Sequence, residues 1–180
     1  MISSIEKAKF LKKEADQLLY EHGIHDILQE YGKVIYVGSY ALDLMAWPDI
    51  DLDIIVPKGK NATALACKLA SDFIAREESI KVAFIRRLHL RRQKGIPVGL
   101  CVSARMEILT AKPNWKLDMW LIDEKQAGKT LADTKKIKAQ LTEEKCAAIL
   151  EWKNRLLTKD GRTPSLSGYW LYQAILSLTA

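Results

Sequence analysis

The chain has 180 residues, of which 48% are hydrophobic and 28% charged, and its formal net charge is +6. These values are typical of a soluble globular protein with one domain and a small helical appendage. No apolar run reaches the length of a transmembrane helix, and the charged start MISSIEKAKFLKKEAD is unlike a signal peptide, so we expect no membrane segment.

The N-terminal part of the chain predicts helices followed by one strand. Apolar positions from Ile5 onward recur on one helical face, and Gly23 is a typical helix stop before a second helix over 24–31. The run KVIYV, residues 33–37, predicts a strand that ends at Gly38-Ser39. We expect a two-turn helix over 40–46 after it.

The middle of the chain predicts most of the strands. Residues 49–56 are rich in isoleucine and are followed by Pro57 and Gly59, as expected of a strand and its end. Asn61 is a good N-cap for a helix to about residue 76. Further strands are predicted over 81–88, 98–105 and 115–122.

The C-terminal part predicts helices over 124–139, 142–157 and 166–178, with a polar loop over 159–167. The whole pattern predicts an α/β (α+β) fold: a mixed central sheet of about four to five strands flanked by helices. We expect a core with N-terminal helices over 1–123. Residues 124–180 would form a helical C-terminal extension packed on that core.

Three aspartates, Asp49, Asp51 and Asp53, alternate with apolar residues along the predicted strand 49–56. Side chains two apart on a strand point to the same face, with Cα atoms roughly 6.6 Å apart. Carboxylates this close repel unless a positive charge lies between them, and a divalent cation such as magnesium suits their oxygens. The alternative is the exposed face of an edge strand, where charges prevent aggregation.

Two other features favour the metal site. Gly38 and Ser39 lie between a strand and a helix start, where a small residue lets the backbone approach a phosphate. Asp118 lies in the apolar strand WKLDMWLI, where an unpaired carboxylate is costly. Its carboxylate either pairs with an arginine or lysine or joins the aspartates of a neighbouring strand.

This pattern of Gly38-Ser39, then Asp49-Ile50-Asp51-Leu52, then a later strand with Asp118 resembles the polymerase-beta-type nucleotidyltransferase superfamily. The resemblance implies that Asp49, Asp51 and Asp118 are catalytic and hold two Mg²⁺ ions. It also implies that Gly38 and Ser39 hold the triphosphate of an NTP, with ATP expected. Asp118 would further help to deprotonate the attacking hydroxyl.

The register of the motif stays open, because Asp51-Leu52-Asp53-Ile54 fits the pattern as well. We prefer Asp49 and Asp51, since Asp49 follows Pro48 at the entry to the strand, where a substrate has easier access. Arg86, in the basic stretch FIRRLHLRRQKG, is the best candidate for a phosphate contact if it faces the aspartates.

The function implied is transfer of a nucleoside monophosphate from an NTP to a hydroxyl, as in small antibiotic nucleotidyltransferases. We expect a small-molecule or protein acceptor rather than a nucleic acid, because few aromatic residues accompany the basic ones. The alternatives are a catalytically silent nucleotide-binding protein and a basic nucleic-acid-binding module. Three scattered cysteines without a CxxC pair indicate a reducing cytoplasm. The oligomeric state stays open.

Overall fold

The computed structural model describes residues 2–76, 80–88, 98–107, 114–157 and 168–178. Five strands form one sheet: β1 Lys33–Val37, β2 Asp49–Ile55, β3 Ile80–Leu88, β4 Gly99–Met106 and β5 Trp115–Ile122. Their order across the sheet is β1-β2-β5-β4-β3. β2 and β5 run parallel, and the other neighbours are antiparallel. The predicted mixed sheet flanked by helices is confirmed.

Helices occur before, between and after the strands. They are α1 Ser4–Asp16, α2 Ile24–Gln29, α3 Gly38–Ala41, α4 Ala62–Arg76, α5 Glu124–Lys138, α6 Glu143–Leu156 and α7 Gly168–Leu178. Side-chain caps are present at the starts of α4 and α6, and the one at Asn61 was predicted. Asn61 Oδ1 accepts hydrogen bonds from Thr63 N and Ala64 N at the start of α4, and Thr142 accepts one from Lys145 N at the start of α6.

The main core lies on one face of the sheet. Alternate residues of the central strands, such as Ile50 and Leu52 of β2 and Leu117 and Met119 of β5, are fully buried there. They pack in one cluster with Phe73 of α4 and with apolar side chains of α1 and α2. Period-two alternation therefore sends the aspartates of β2 to the opposite face.

The opposite face is only partly covered by a helix. α5 packs against β1 and β2 there, and Ala127 of α5 joins a small apolar cluster with Ile35 and Trp120. The polar residues of β2 and β5 lie on the same face, toward the start of both strands. The sheet thus has an apolar half under α5 and an acidic half beside it.

A second cluster joins the N-terminal helix to the C-terminal helices. Ala8 of α1 packs with Leu150 of α6 and Tyr172 of α7, and Leu44, which precedes β2, belongs to the same cluster. The C-terminal helices therefore reach the segment that leads into the acidic strand. The division of the chain into a core over 1–123 and a helical extension over 124–180 stays a prediction.

Two local expectations differ from the structure. The predicted two-turn helix over 40–46 is wrong, because α3 ends at Ala41 and Asp43 has a left-handed φ of 58°, which ends a helix. A π-helical turn, Gln17–Glu21, extends the first helix without having been predicted. The predicted loop over 159–167 and the basic residues Arg91, Arg92 and Lys94 lie outside the described residues. Among the helices that are described, none has both the length and the apolar character to cross a membrane.

Candidate active site

The acids of β2 and β5 meet at the centre of the sheet. In the parallel register, Asp49 is paired with Lys116, Asp51 with Asp118 and Asp53 with Trp120. Asp51 and Asp118 are therefore direct neighbours on one face, although they lie far apart in the chain. The structure brings together the three acids that the resemblance singles out, Asp49, Asp51 and Asp118.

Gly38 lies against Asp51, at the turn between β1 and α3. Its φ is +61°, and a Cβ at this position would lie 2.7 Å from Asp51 Oδ2. Only glycine combines a left-handed backbone with this close approach. The adjacent Ser39 is 8% exposed, and its carbonyl accepts a hydrogen bond from Leu44 N at 2.9 Å. The predicted pair Gly38-Ser39 therefore borders the acids.

Lys116 is the cation nearest to the acids among the described residues. Its Nζ is 2.8 Å from Asp49 Oδ2 and 3.2 Å from Asp118 Oδ2. Although burial disfavours its charge, the charges of Asp49 and Asp118 raise the pKa of Lys116 well above its usual value. The ammonium group is therefore charged at neutral pH and links the acids of two strands.

Asp118 is held by two further groups. Ser103 Oγ of β4 donates a hydrogen bond to Asp118 Oδ1 at 2.5 Å, and Arg86 Nη2 of β3 donates one to Asp118 Oδ2 at 3.0 Å. Burial disfavours the carboxylate, but Lys116, Ser103 and Arg86 together outweigh it and lower the pKa of Asp118. Arg86 therefore faces the acids, as its predicted role requires.

The negative charges of Asp49 and Asp51 on β2 are less well compensated by their surroundings than the charge of Asp118. Burial raises the pKa of Asp49 although Lys116 opposes it, and burial together with the Asp49 charge raises the pKa of Asp51 to about 8. Asp49 Oδ1 is buried without a hydrogen-bond partner in the described part of the chain; the side chain of Trp47 favours its charge without completing a hydrogen bond. The pair carries more negative charge than its surroundings stabilise.

The chemistry of these residues suits a divalent cation, although Lys116 lies among them. Carboxylate oxygens are the hard ligands that Mg²⁺ prefers, and the orphaned oxygen of Asp49 can accept a metal without breaking a hydrogen bond. Within residues that the structure describes, no set of three His, Cys, Asp or Glu side chains is arranged to hold a metal ion. In the structure, the ammonium group of Lys116 lies between the carboxylates of Asp49 and Asp118.

Asp53 lies apart from this group. It is fully buried, both of its oxygens are without a hydrogen-bond partner among the described residues, and burial raises its pKa to about 6. The hydroxyl of Thr130 on α5 favours the charged form, but it donates to the Gln126 carbonyl at 3.2 Å. Asp53 is thus a buried residue under α5, outside the group formed by Asp49, Asp51 and Asp118.

Lys153 of α6 was not identified from the sequence. It is 1% exposed, its Nζ donates a hydrogen bond to the Leu44 carbonyl at 2.5 Å, and it lies 4.6 Å from the centroid of the Trp47 ring. Burial lowers its pKa to about 8, while the charges of Asp49 and Asp51 oppose that shift. Helical spacing offered a signal, because Lys153 follows the buried Ile149 and Leu150 by four and three residues.

Ser103 and Lys116 were missed as well. Alternation along β5 places residue 116 on the face of residue 118, so Lys116 was within reach of sequence reasoning. Ser103 was not, because only the register of β4 with β5 pairs it with Asp118.

No protein-family model and no curated protein matches the chain. Solved structures do match its fold. The poly(U) polymerase Cid1 with Mg and 3′-dATP bound matches with a TM-score of 0.52 at 14% identity, over 89% of this chain and 47% of that one. The poly(A) polymerase complex GLD-2–GLD-3 matches with a TM-score of 0.52 at 12% identity, over 96% of this chain and 57% of that one.

Terminal uridylyl transferase 4 from Trypanosoma brucei with bound UPU matches with a TM-score of 0.50 at 10% identity, over 97% of this chain and 58% of that one. The chain thus spans about half the length of these three structures. At these identities the likeness shows the fold alone. The chain therefore shares its fold with these poly(U) and poly(A) polymerases and this terminal uridylyl transferase.

Proposed function

We propose that this chain is a metal-dependent nucleotidyltransferase, which moves a nucleoside monophosphate from a nucleoside triphosphate to a hydroxyl group. One observation carries the proposal. Carboxylates from two strands, Asp49 and Asp118, converge on one cationic nitrogen, while Gly38 leaves room for Asp51 beside them. Buried acids that are gathered and incompletely compensated indicate a site for cations rather than a solubilising surface.

The roles follow from the geometry. Asp49, Asp51 and Asp118 would hold two Mg²⁺ ions, which would supply positive charge at the α-phosphate and at the leaving pyrophosphate. Gly38 and Ser39 would lie against the triphosphate. The side chain of Arg86 is 41% exposed and would contact a phosphate oxygen while it stays close to Asp118.

Asp118 has a narrower role in this proposal than the resemblance implies. A carboxylate whose pKa is lowered is a weaker base, because it binds a proton less readily. We therefore assign Asp118 mainly to charge and ligation. Deprotonation of the acceptor hydroxyl would depend less on this residue than on solvent or on the substrate itself.

The acceptor is a hydroxyl on a small molecule or a protein, or the 3′ end of an RNA. The RNA end is suggested by the neighbours, which are named as poly(U) and poly(A) polymerases and a terminal uridylyl transferase. The net charge of +6 is compatible with any polyanion. ATP is the donor we propose to test first, followed by UTP.

The test is metal-dependent transfer of label from an α-labelled triphosphate by the purified chain, with release of pyrophosphate as a second readout. Replacing Asp51 by Asn removes one ligand charge while keeping the shape of the side chain. We expect Asp51→Asn to lower turnover by about 10²–10³-fold and to leave the circular dichroism spectrum unchanged. Near-normal turnover in this variant would contradict the assignment.

Two matched variants on the same strand decide the register of the motif. We expect Asp49→Asn to abolish transfer and Asp53→Asn to retain it, because Asp49 and Asp51 are the proposed metal ligands. The two variants are matched, because both make the same chemical change on the same face of β2. The reverse pattern would assign the metal to Asp51 and Asp53. Binding of triphosphate and metal without release of pyrophosphate by the unaltered chain would instead indicate a catalytically silent protein.

A further inference from the structure

Lys116 occupies the position where the carboxylates of two strands come closest. It lies two residues before Asp118 on β5, so both side chains project from the same face. In the sheet register it is the partner of Asp49. Its ammonium nitrogen bonds one oxygen of each acid, Asp49 Oδ2 at 2.8 Å and Asp118 Oδ2 at 3.2 Å.

Asp118 has little capacity left for another partner. Its Oδ1 accepts from Ser103, and its Oδ2 accepts from both Arg86 and Lys116. Because a carboxylate oxygen offers about two lone pairs, a metal ion that binds Oδ2 has to displace Arg86 or Lys116. The ammonium group of Lys116 lies between Asp118 and Asp49. A metal ion that binds both acids would therefore have to displace this ammonium group.

The two basic residues differ in how easily they leave. Arg86 is anchored twice, because the same nitrogen, Nη2, donates to Ser103 Oγ and to Asp118 Oδ2, each at 3.0 Å. Lys116 is a point charge on a flexible four-carbon stem and is held only by the carboxylates of Asp49 and Asp118. The lysine is therefore the easier of the two to displace, whereas the arginine keeps its hydrogen bond to Ser103.

We propose that Lys116 is a built-in counter-ion of the acidic site: it holds Asp49 and Asp118 together while no divalent cation is bound and withdraws when one binds, and so sets the metal affinity. This inference rests on the proposed function, because it assumes that the acids bind metal. Ammonium and metal compete for the same oxygens.

The competition predicts an unusual effect of removing a basic residue. Loss of Lys116 leaves the acids uncompensated, which destabilises the metal-free protein, and it removes the competitor, which strengthens metal binding. A salt bridge with only a structural role would give the first effect without the second. A lysine that binds phosphate would weaken nucleotide binding and leave metal binding unchanged.

The experiment is titration of the full chain with Mn²⁺ in the absence of nucleotide, with free Mn²⁺ followed by electron paramagnetic resonance. We expect Lys116→Met to bind Mn²⁺ about 10-fold more tightly than the unaltered chain, and to have a lower melting temperature in chelator. Added Mn²⁺ should raise its melting temperature by more than that of the unaltered chain. Mn²⁺ affinity in Lys116→Met that equals or falls below that of the unaltered chain would overturn the inference.

Three further variants make the test specific. Lys33→Met removes the same charge at the far end of β1, where the side chain is exposed, and we expect no change in Mn²⁺ affinity. Lys116→Arg keeps the charge and should bind Mn²⁺ no more tightly than the unaltered chain. Lys116→Gln, which removes the charge but keeps a hydrogen-bond donor, repeats the test if the methionine variant does not fold.

Failure of the inference and failure of the proposed function give different results. If the unaltered chain binds Mn²⁺ and Asp51→Asn abolishes that binding, the metal site stands and only the Lys116 variants decide on the counter-ion. If neither the unaltered chain nor Lys116→Met binds Mn²⁺, both the proposed metal site and the inference are overturned.

Discussion

Asp53 shows how differently three aspartates on one strand can behave. Asp49 and Asp51 lie beside Lys116, Asp118 and Gly38, whereas Asp53 is fully buried with no hydrogen-bond partner for either oxygen in the described residues. Burial raises its pKa from 3.8 to about 6. A buried, unpaired carboxylate destabilises the folded state once it is ionised.

This pKa predicts a specific dependence of stability on pH. Because the folded state binds the proton of Asp53 more tightly than the unfolded state, its contribution is fully present below pH 3.8 and is lost as the pH rises through about 6. We expect the free energy of unfolding of the unaltered chain to fall by about 2 kcal/mol relative to Asp53→Asn between pH 4 and pH 7. Urea denaturation of both proteins across this range measures the difference, and parallel curves would contradict it.

Residue-level prediction reached the acids and Arg86 but not the two lysines near them, Lys116 and Lys153. Alternation along β2 shows that Asp49, Asp51 and Asp53 share a face, and this follows from strand geometry alone. It does not show that Asp53 would be covered by α5, since that depends on where a distant helix packs. Alternation along β5 and helical spacing in α6 offered signals for Lys116 and Lys153, but only the packing of the folded chain brings both lysines near the acids.

At the scale of single elements, the turn from β1 into α3 combines backbone strain with a close contact. Gly38 has a φ of +61°, and a Cβ there would overlap Asp51 Oδ2. The sequence already indicated a special role for Gly38, because a glycine after a buried strand is typical of close approach to a phosphate. The contact with Asp51 could not be predicted, since it depends on the antiparallel pairing of β1 with β2.

Gly38→Ala should therefore cost more than an ordinary glycine substitution. We expect about 1–3 kcal/mol of destabilisation, together with loss of nucleotidyl transfer because Asp51 would be pushed aside. The matched control is Gly23→Ala, since Gly23 has a similar φ of +73° but nothing within 4 Å of an added Cβ. Denaturant unfolding and transfer assays on both variants separate the backbone cost from the contact. Equal effects on activity would argue against a role for the contact.

Strands were easier to predict than the elements that join them. The isoleucine-rich β2 and the aromatic β5 stand out by composition, and their bounds agree closely with the expected ranges. The helix expected over 40–46 failed because Asp43 adopts a left-handed conformation that its residue type permits but does not require. Short elements of this kind are decided by their neighbours in space.

At the scale of the whole molecule, Lys153 connects the C-terminal helices to the acidic site. The Lys153 side chain is fully buried where it extends from α6, and it donates a hydrogen bond to the carbonyl of Leu44, in the segment that leads from α3 into β2. Tyr172 of α7 lies nearby, with its hydroxyl 3.4 Å from the lysine nitrogen. The helical region therefore contacts the segment that leads into the acidic strand, and it brings the charge of Lys153 within electrostatic reach of Asp49 and Asp51.

Burial lowers the pKa of Lys153 from 10.5 to about 8, so the folded state binds this proton less tightly than the unfolded state. The free energy of unfolding should then rise with pH through the window between these two values. Relative to Lys153→Met, we expect the unaltered chain to gain about 2 kcal/mol between pH 7 and pH 9.5. Guanidinium unfolding of both proteins at the two pH values measures this gain, and a pH-independent difference would refute it.

The strands that carry the acids, β2 and β5, are neighbours in the sheet although α4, β3 and β4 lie between them in the chain. Joining them closes a long loop, whose entropy opposes folding. Asp51 and Asp118 gain nothing in that step, because it brings two like charges side by side. On the reverse of the same two strands, Leu52 and Met119 are paired and fully buried. The hydrophobic face therefore has to provide the free energy that assembles the charged face. Mutations that weaken the packing of Leu52 and Met119 should disrupt the acidic site although they change none of its residues.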